Sequence, residues 1–116
     1  MVAVPSSGVP LTPVHLEYVQ RENADVVAVR GPVDTRTMPG FEGLMQALAD
    51  AGDRDVDIDL TGIESFNSTG VGILVNLAAR RRGRNARVHL RLREGGPLLA
   101  MLRLARLESL FTLHLD

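Results

Sequence analysis

The chain has 116 residues, 45% hydrophobic and 23% charged, with a formal net charge of −1, the size and balance of one globular domain rather than a disordered segment. It contains no cysteine, and all 13 cations are arginine, which excludes disulfides, thiolate zinc sites, thiol nucleophiles, P-loop lysines and Schiff-base chemistry. No apolar run approaches the roughly 18 residues that span a bilayer, so no membrane partner is expected, and the absence of cysteine fits a cytoplasmic protein.

Residues 1–13 lack the basic and long apolar regions of a secretory signal and read as a flexible N-terminal tail. Residues 14–116 read as the folded domain. Val14, Leu16 and Tyr18 alternate with polar neighbours, and Val27 and Val29 resume after the polar turn Arg21-Glu22-Asn23-Ala24. Two such runs so close together predict an antiparallel hairpin, ended by Gly31-Pro32. Asp34, Thr35 and Thr37 are candidate caps for a helix with an apolar face of Phe41, Leu44, Met45 and Leu48, stopped near Gly52.

Val56, Ile58 and Leu60 then alternate with Asp55, Asp57 and Asp59, the period of a half-buried strand. From Val71 the spacing changes: Val71, Leu74, Val75 and Ala78 share one helical face. Asn67, Ser68 and Thr69 between them are all capable caps, so the helix is expected to start at Ser68 or Thr69. It closes with Arg80-Arg81-Arg82 before Gly83, cations that complement the helix dipole. Val88, Leu90 and Leu92 predict another strand. Pro97 opens a helix with Leu98, Met101 and Leu102 on its buried face, and Phe111, Leu113 and Leu115 predict a last strand. Strands joined through helices are normally parallel with right-handed crossovers. The expected fold is therefore a small single α/β domain, with a mixed central sheet and helices mainly on one face.

A helix N-terminus presents unsatisfied N–H groups and partial positive charge. A serine hydroxyl on that rim is a candidate phosphorylation site; the plainer reading is that Asn67, Ser68 and Thr69 only cap the helix. The run Asp59-Leu60-Thr61-Gly62-Ile63-Glu64-Ser65-Phe66, followed by Asn67-Ser68-Thr69-Gly70-Val71-Gly72, resembles the signature of the STAS domain as found in bacterial anti-sigma factor antagonists. Gly31-Pro32-Val33-Asp34 is similar to that family's segment ending the second strand. The resemblance covers roughly residues 14 to 115. It departs where the family carries an aspartate before the acceptor serine, here Asn67, and in leaving no further C-terminal helix to form.

The resemblance implies a phosphoacceptor at Ser68 and a partner-binding edge of Asp34, Thr35, Asn67, Ser68, Thr69 and Gly70. It also implies a cycle: the unphosphorylated domain binds an anti-sigma factor/serine protein kinase and frees a sigma factor, the kinase phosphorylates Ser68, and a PP2C-type phosphatase reverses it. The alternatives are a non-phosphorylated structural subunit of a lipid-transport or stressosome-like assembly, and a small-ligand or nucleotide-binding module.

Residues 1–79 hold 4 arginines against 11 acids, a balance of −7, and residues 80–116 hold 9 against 3, a balance of +6. The alternation suggests that Asp55, Asp57 and Asp59 face Arg87, Arg91 and Arg93 in a cross-strand ladder on an open sheet face. With aromatics at 3%, base-stacking platforms are scarce, and no direct nucleic-acid partner is expected. Gly70-Val71-Gly72 lacks the third glycine of a dinucleotide loop, and Phe66 stands where a nucleophile elbow needs glycine. His15, His89 and His114 fall on separate strands without ligand spacing. No enzyme activity, cofactor or metal is expected.

Overall fold

Alternating side chains build the first pair of strands in the computed structural model, which describes residues 14–21, 23–50 and 52–116. The tail expected over residues 1–13 lies outside the described residues. Strand β1 (His15–Gln20) pairs antiparallel with β2 (Ala24–Pro32), Leu16 opposite Val29 and Tyr18 opposite Val27. Helix α1 (Met38–Asp50) leads to β3 (Asp55–Ser65), α2 (Ser68–Arg82) to β4 (Val88–Leu92), and α3 (Pro97–Leu104) with a 3-10 turn (Glu108–Leu110) to β5 (Thr112–Leu115). β2, β3, β4 and β5 are mutually parallel, and the sheet order is β1-β2-β3-β4-β5.

Because each new strand is added on the same side, right-handed crossovers put all three helices on one face. The buried positions agree. Val27, Val29, Val56, Ile58, Leu60, Val88, Leu90 and Leu92 form a core with Phe41, Met45, Leu48, Leu74, Leu77, Leu98 and Leu102 of the helices. Each such side chain contributes roughly 1.5–3 kcal/mol when buried, against roughly 0–1 kcal/mol for an exposed ion pair. The apolar alternation, not the charges, therefore sets the strand register.

The expected aspartate–arginine ladder does not form. Asp57 is the register partner of His89, and Asp59 that of Arg91. Yet Arg91 reaches Asp116 at 3.8 Å, and Arg87 Nε donates to Thr112 Oγ1 at 2.8 Å. Asp59 accepts from the backbone and the hydroxyl of Thr61. Asp59 is held by donors two residues along its own strand, whereas Arg87 and Arg91 extend toward β5 and the residue after it.

The charge asymmetry is resolved chiefly elsewhere, at the N-terminal end of the strands. Arg81 sits on the buried face of α2 and is fully buried. Its guanidinium donates to the carbonyls of Leu48 (2.6 Å) and Arg54 (2.7 Å) and to the buried Asp25 carboxylate (3.4 Å). Asp25 also holds Arg54 (2.8 Å) and accepts the Tyr18 hydroxyl (2.9 Å). Arg80 pairs with Asp50, and Arg84 donates to the carbonyl of Gly52. Leu48 lies in the last turn of α1, where carbonyls have no intrahelical partner. α1 has no basic residue there, so α2 supplies the cations that its dipole favours.

Candidate functional site

At the opposite, C-terminal edge of the strands, two turns leave neighbouring strands side by side. Pro32 of β2 pairs with Ser65 of β3, and the Val33 N–H donates to the Ser65 carbonyl at 3.0 Å. β3 thus extends past Leu60, through Thr61-Gly62, with two register shifts against β2. Gly62 permits this, because a Cβ there would lie 2.9 Å from Arg30 Cγ.

Beyond Ser65 the chain enters α2. Asn67 is its cap: the backbone is extended (φ −127°, ψ 172°) and Oδ1 accepts the Gly70 N–H at 2.9 Å. Ser68 and Thr69 are the first two helical residues, and both are exposed. Their N–H groups precede the first intrahelical bond, so the helix offers them to an acceptor in front of it. The first turn carries no acid. Phe66 fixes this mouth from below. Its ring meets Phe41 edge-on, with centroids 5.6 Å apart, and a Cβ on Gly70 would lie 2.7 Å from the ring. Only glycine lets the helix begin over the phenyl group.

In the neighbouring turn Asp34 Oδ1 accepts from the N–H groups of Arg36 (2.9 Å) and Thr37 (3.2 Å). Thr37 Oγ1 donates to the Pro32 carbonyl at 2.8 Å. The Asp34 carboxylate therefore closes its own turn, and Thr35 is exposed at the tip. All six residues expected at a partner-binding edge lie on these two adjacent turns: Asp34 and Thr35 on one, Asn67, Ser68, Thr69 and Gly70 on the other. Gly70 is buried and serves as a spacer, while Ser68, Thr69 and Thr35 offer exposed hydroxyls. A groove of about 240 Å³ runs from Thr69 between α1 and α2, lined by Glu42, Met45, Gln46, Gly72, Ile73 and Asn76.

An exposed hydroxyl thus stands at the mouth of the helix after the third strand, beside the end of the second, in a small α/β domain. The chain belongs to the STAS domain family: the family model described as Mlab, STAS domain, matches residues 16–113. The chain is similar in fold to an anti-sigma factor antagonist from Mycobacterium paratuberculosis, at 24% identity and a TM-score of 0.75, over 87% of this chain and 85% of that one. It is also similar to the anti-sigma factor antagonist SpoIIAA in its unphosphorylated form, at 17% identity and a TM-score of 0.63, covering 87% and 86% of the two chains. The Bacillus cell fate determinant SpoIIAA in the phosphorylated form matches at 16% identity and a TM-score of 0.62, covering 87% and 90%. No curated protein matches the sequence.

Two side-chain groups were missed by sequence reasoning. The sequence reads Arg81 as one of three last-turn cations that complement the helix dipole, although it lies three residues beyond Ala78 on the helix's apolar face, a spacing that signals burial. His89 and His114 were read as unrelated, but β4 and β5 are neighbours. Their rings stack with centroids 5.4 Å apart, and His89 Nδ1 lies 3.2 Å from His114 Nε2. No described helix is long and apolar enough to cross a membrane.

Proposed function

We propose that the chain is an anti-sigma factor antagonist. It acts in the cytoplasm as a protein-binding switch without catalysis of its own, sequestering an anti-sigma factor/serine kinase and so releasing a sigma factor. The observation that carries this reading is the exposed Ser68 hydroxyl at the first position of α2, where the family motif has its acceptor. A phosphate of about −1.5 to −2 charge placed there costs desolvation in a docked surface and repels acidic groups of a partner. The free protein tolerates it because the helix N-terminus supplies donors and favourable charge. A PP2C-type phosphatase resets the switch. Neither nucleic acid nor membrane takes part directly.

The test is incubation with ATP and the cognate kinase, followed by intact mass and phosphopeptide mapping. One phosphoryl group on Ser68 is expected. Ser68→Ala should take none and hold its anti-sigma partner constitutively. Phosphate on Thr69 instead would overturn the acceptor assignment. No phosphate on the wild type would favour a second reading, a STAS structural subunit of a lipid-transport or stressosome-like assembly. Asn67 in place of the family's aspartate supports that alternative.

A further inference from the structure

The helix-free face of the sheet carries a second group of reactive side chains, drawn from three adjacent strands. His89 Nε2 lies 3.0 Å from Asp55 Oδ2, and His89 Nδ1 faces His114 Nε2 at 3.2 Å. We propose that His89 and His114 form a two-histidine seat for a late first-row divalent cation of the zinc class, with Asp55 orienting His89.

The argument begins at Asp55. Its Oδ1 accepts the Arg87 backbone N–H at 3.0 Å, which leaves Oδ2 turned to His89 Nε2 at 3.0 Å. An ionised carboxylate only accepts hydrogen bonds, so the His89 proton resides on Nε2. In the neutral ring Nδ1 then carries the lone pair, and it points at His114. A carboxylate behind one ring nitrogen is the arrangement that orients metal-ligating histidines and raises their basicity.

The spacing fits as well. Two nitrogens bound at about 2.0–2.1 Å to a tetrahedral ion stand roughly 3.3–3.4 Å apart, close to the observed gap. Without a metal, a proton on His114 Nε2 spans that gap. On binding that proton moves to His114 Nδ1, and the rings tilt so that both lone pairs converge on an ion set to one side of the gap. His114 is exposed on the edge strand, free to adjust its ring.

The surrounding charges permit a cation. Asp57 is the register partner of His89. Arg91, the register partner of His114, is paired with Asp116, and the Arg87 side chain is turned to Thr112. Among the described residues no three or more His, Asp or Glu side chains are grouped to hold a metal. The seat therefore has two protein ligands, with water completing the shell. Imidazole donors favour Zn²⁺, Ni²⁺ and Cu²⁺ over Mg²⁺.

Isothermal titration calorimetry of the full chain with ZnCl₂, NiCl₂ and MgCl₂ at neutral pH tests this, with circular dichroism as a check on folding. One site for Zn²⁺ and Ni²⁺ and none for Mg²⁺ are expected. His114→Ala and His89→Gln should each weaken Zn²⁺ binding at least about tenfold, and Asp55→Asn about 10–100-fold, the usual effect of losing an outer-shell partner. His15→Ala, on the distant β1, should leave binding unchanged. Absence of Zn²⁺ heat, equal binding of Mg²⁺, or full Zn²⁺ affinity in folded His114→Ala overturns the proposal.

Discussion

Replacing Arg81 with alanine tests how the domain is held together at the end remote from Ser68. The wild-type guanidinium is fully buried and serves two carbonyls, of Leu48 and Arg54, and the Asp25 carboxylate. Removing one partner of a buried ion pair typically costs about 3–5 kcal/mol, and each buried acceptor left without a donor about 1–3 kcal/mol. Asp25 retains Arg54 and Tyr18, so the charge is not left wholly uncompensated. We therefore expect about 3–5 kcal/mol in total, a large share of the roughly 5–15 kcal/mol that holds such a domain together. For a chain of this length that lowers Tm on the order of 10–20 °C. Arg80→Ala, which removes an exposed pair with Asp50, should cost under about 1 kcal/mol. Arg81→Lys keeps the charge but not the planar fork, and should recover less than half of the loss. Urea unfolding followed by far-UV circular dichroism measures all three variants. A loss in Arg81→Ala no greater than that in Arg80→Ala would refute the reasoning.

Tyr18 gives a direct reading of the same network. Its hydrogen bond to Asp25, then burial and the Asp25 charge, push its hydroxyl above the ordinary value of 10.0. The chain has one tyrosine and no tryptophan, so ultraviolet titration reports this group alone; the folded midpoint should lie above that of the urea-unfolded chain, and equal midpoints would refute the contact. Because the folded value is the higher one, the stabilisation is complete below about pH 10 and is lost as pH rises through the folded value. Asn67→Asp should keep the cap, since either side chain offers an oxygen to the Gly70 N–H, and add about 0.3–1 kcal/mol through the helix dipole. It should also raise the initial phosphorylation rate at Ser68, because a charge-assisted contact to the kinase is stronger than a neutral one; an equal or slower rate would count against that contact.

Much of the fold was legible because one period governs each segment. Val56, Ile58 and Leu60 alternate, while Val71, Leu74, Val75 and Ala78 recur at helical spacing, and the chain forms strand and helix there. The mouth of α2 was legible to within a residue. Choosing Asn67 as cap over Ser68 required the backbone geometry, since all the candidates have capping oxygens. The second half of β3 is harder to read because the apolar alternation of Val56, Ile58 and Leu60 breaks at Gly62, and the reason for the glycine lies across the strand in Arg30. The ladder failed for a related reason. Alternation assigns residues to a face, but not the direction in which a long arginine extends. Arg81 was hidden most deeply, because it reaches partners 27, 33 and 56 positions away, backbone carbonyls among them.

Those distant partners bear on the proposed switch as well as on stability. A docking surface at a helix N-terminus must stay exposed, and exposed termini fray unless something else holds the helix. In α2 the two ends divide the work. Near the C-terminus, Arg80 and Arg81 reach Asp50, the end of α1 and the foot of β2. Midway, Leu74 and Leu77 are fully buried. At the N-terminus Phe66 beneath Gly70, the Asn67 cap and the buried Val71 set the position, leaving the Ser68 and Thr69 side chains exposed. Added charge at Ser68 therefore meets a mouth whose placement does not depend on that residue's own packing. Phosphorylation should then act on the partner through charge and desolvation at a fixed surface, with no refolding of the domain required.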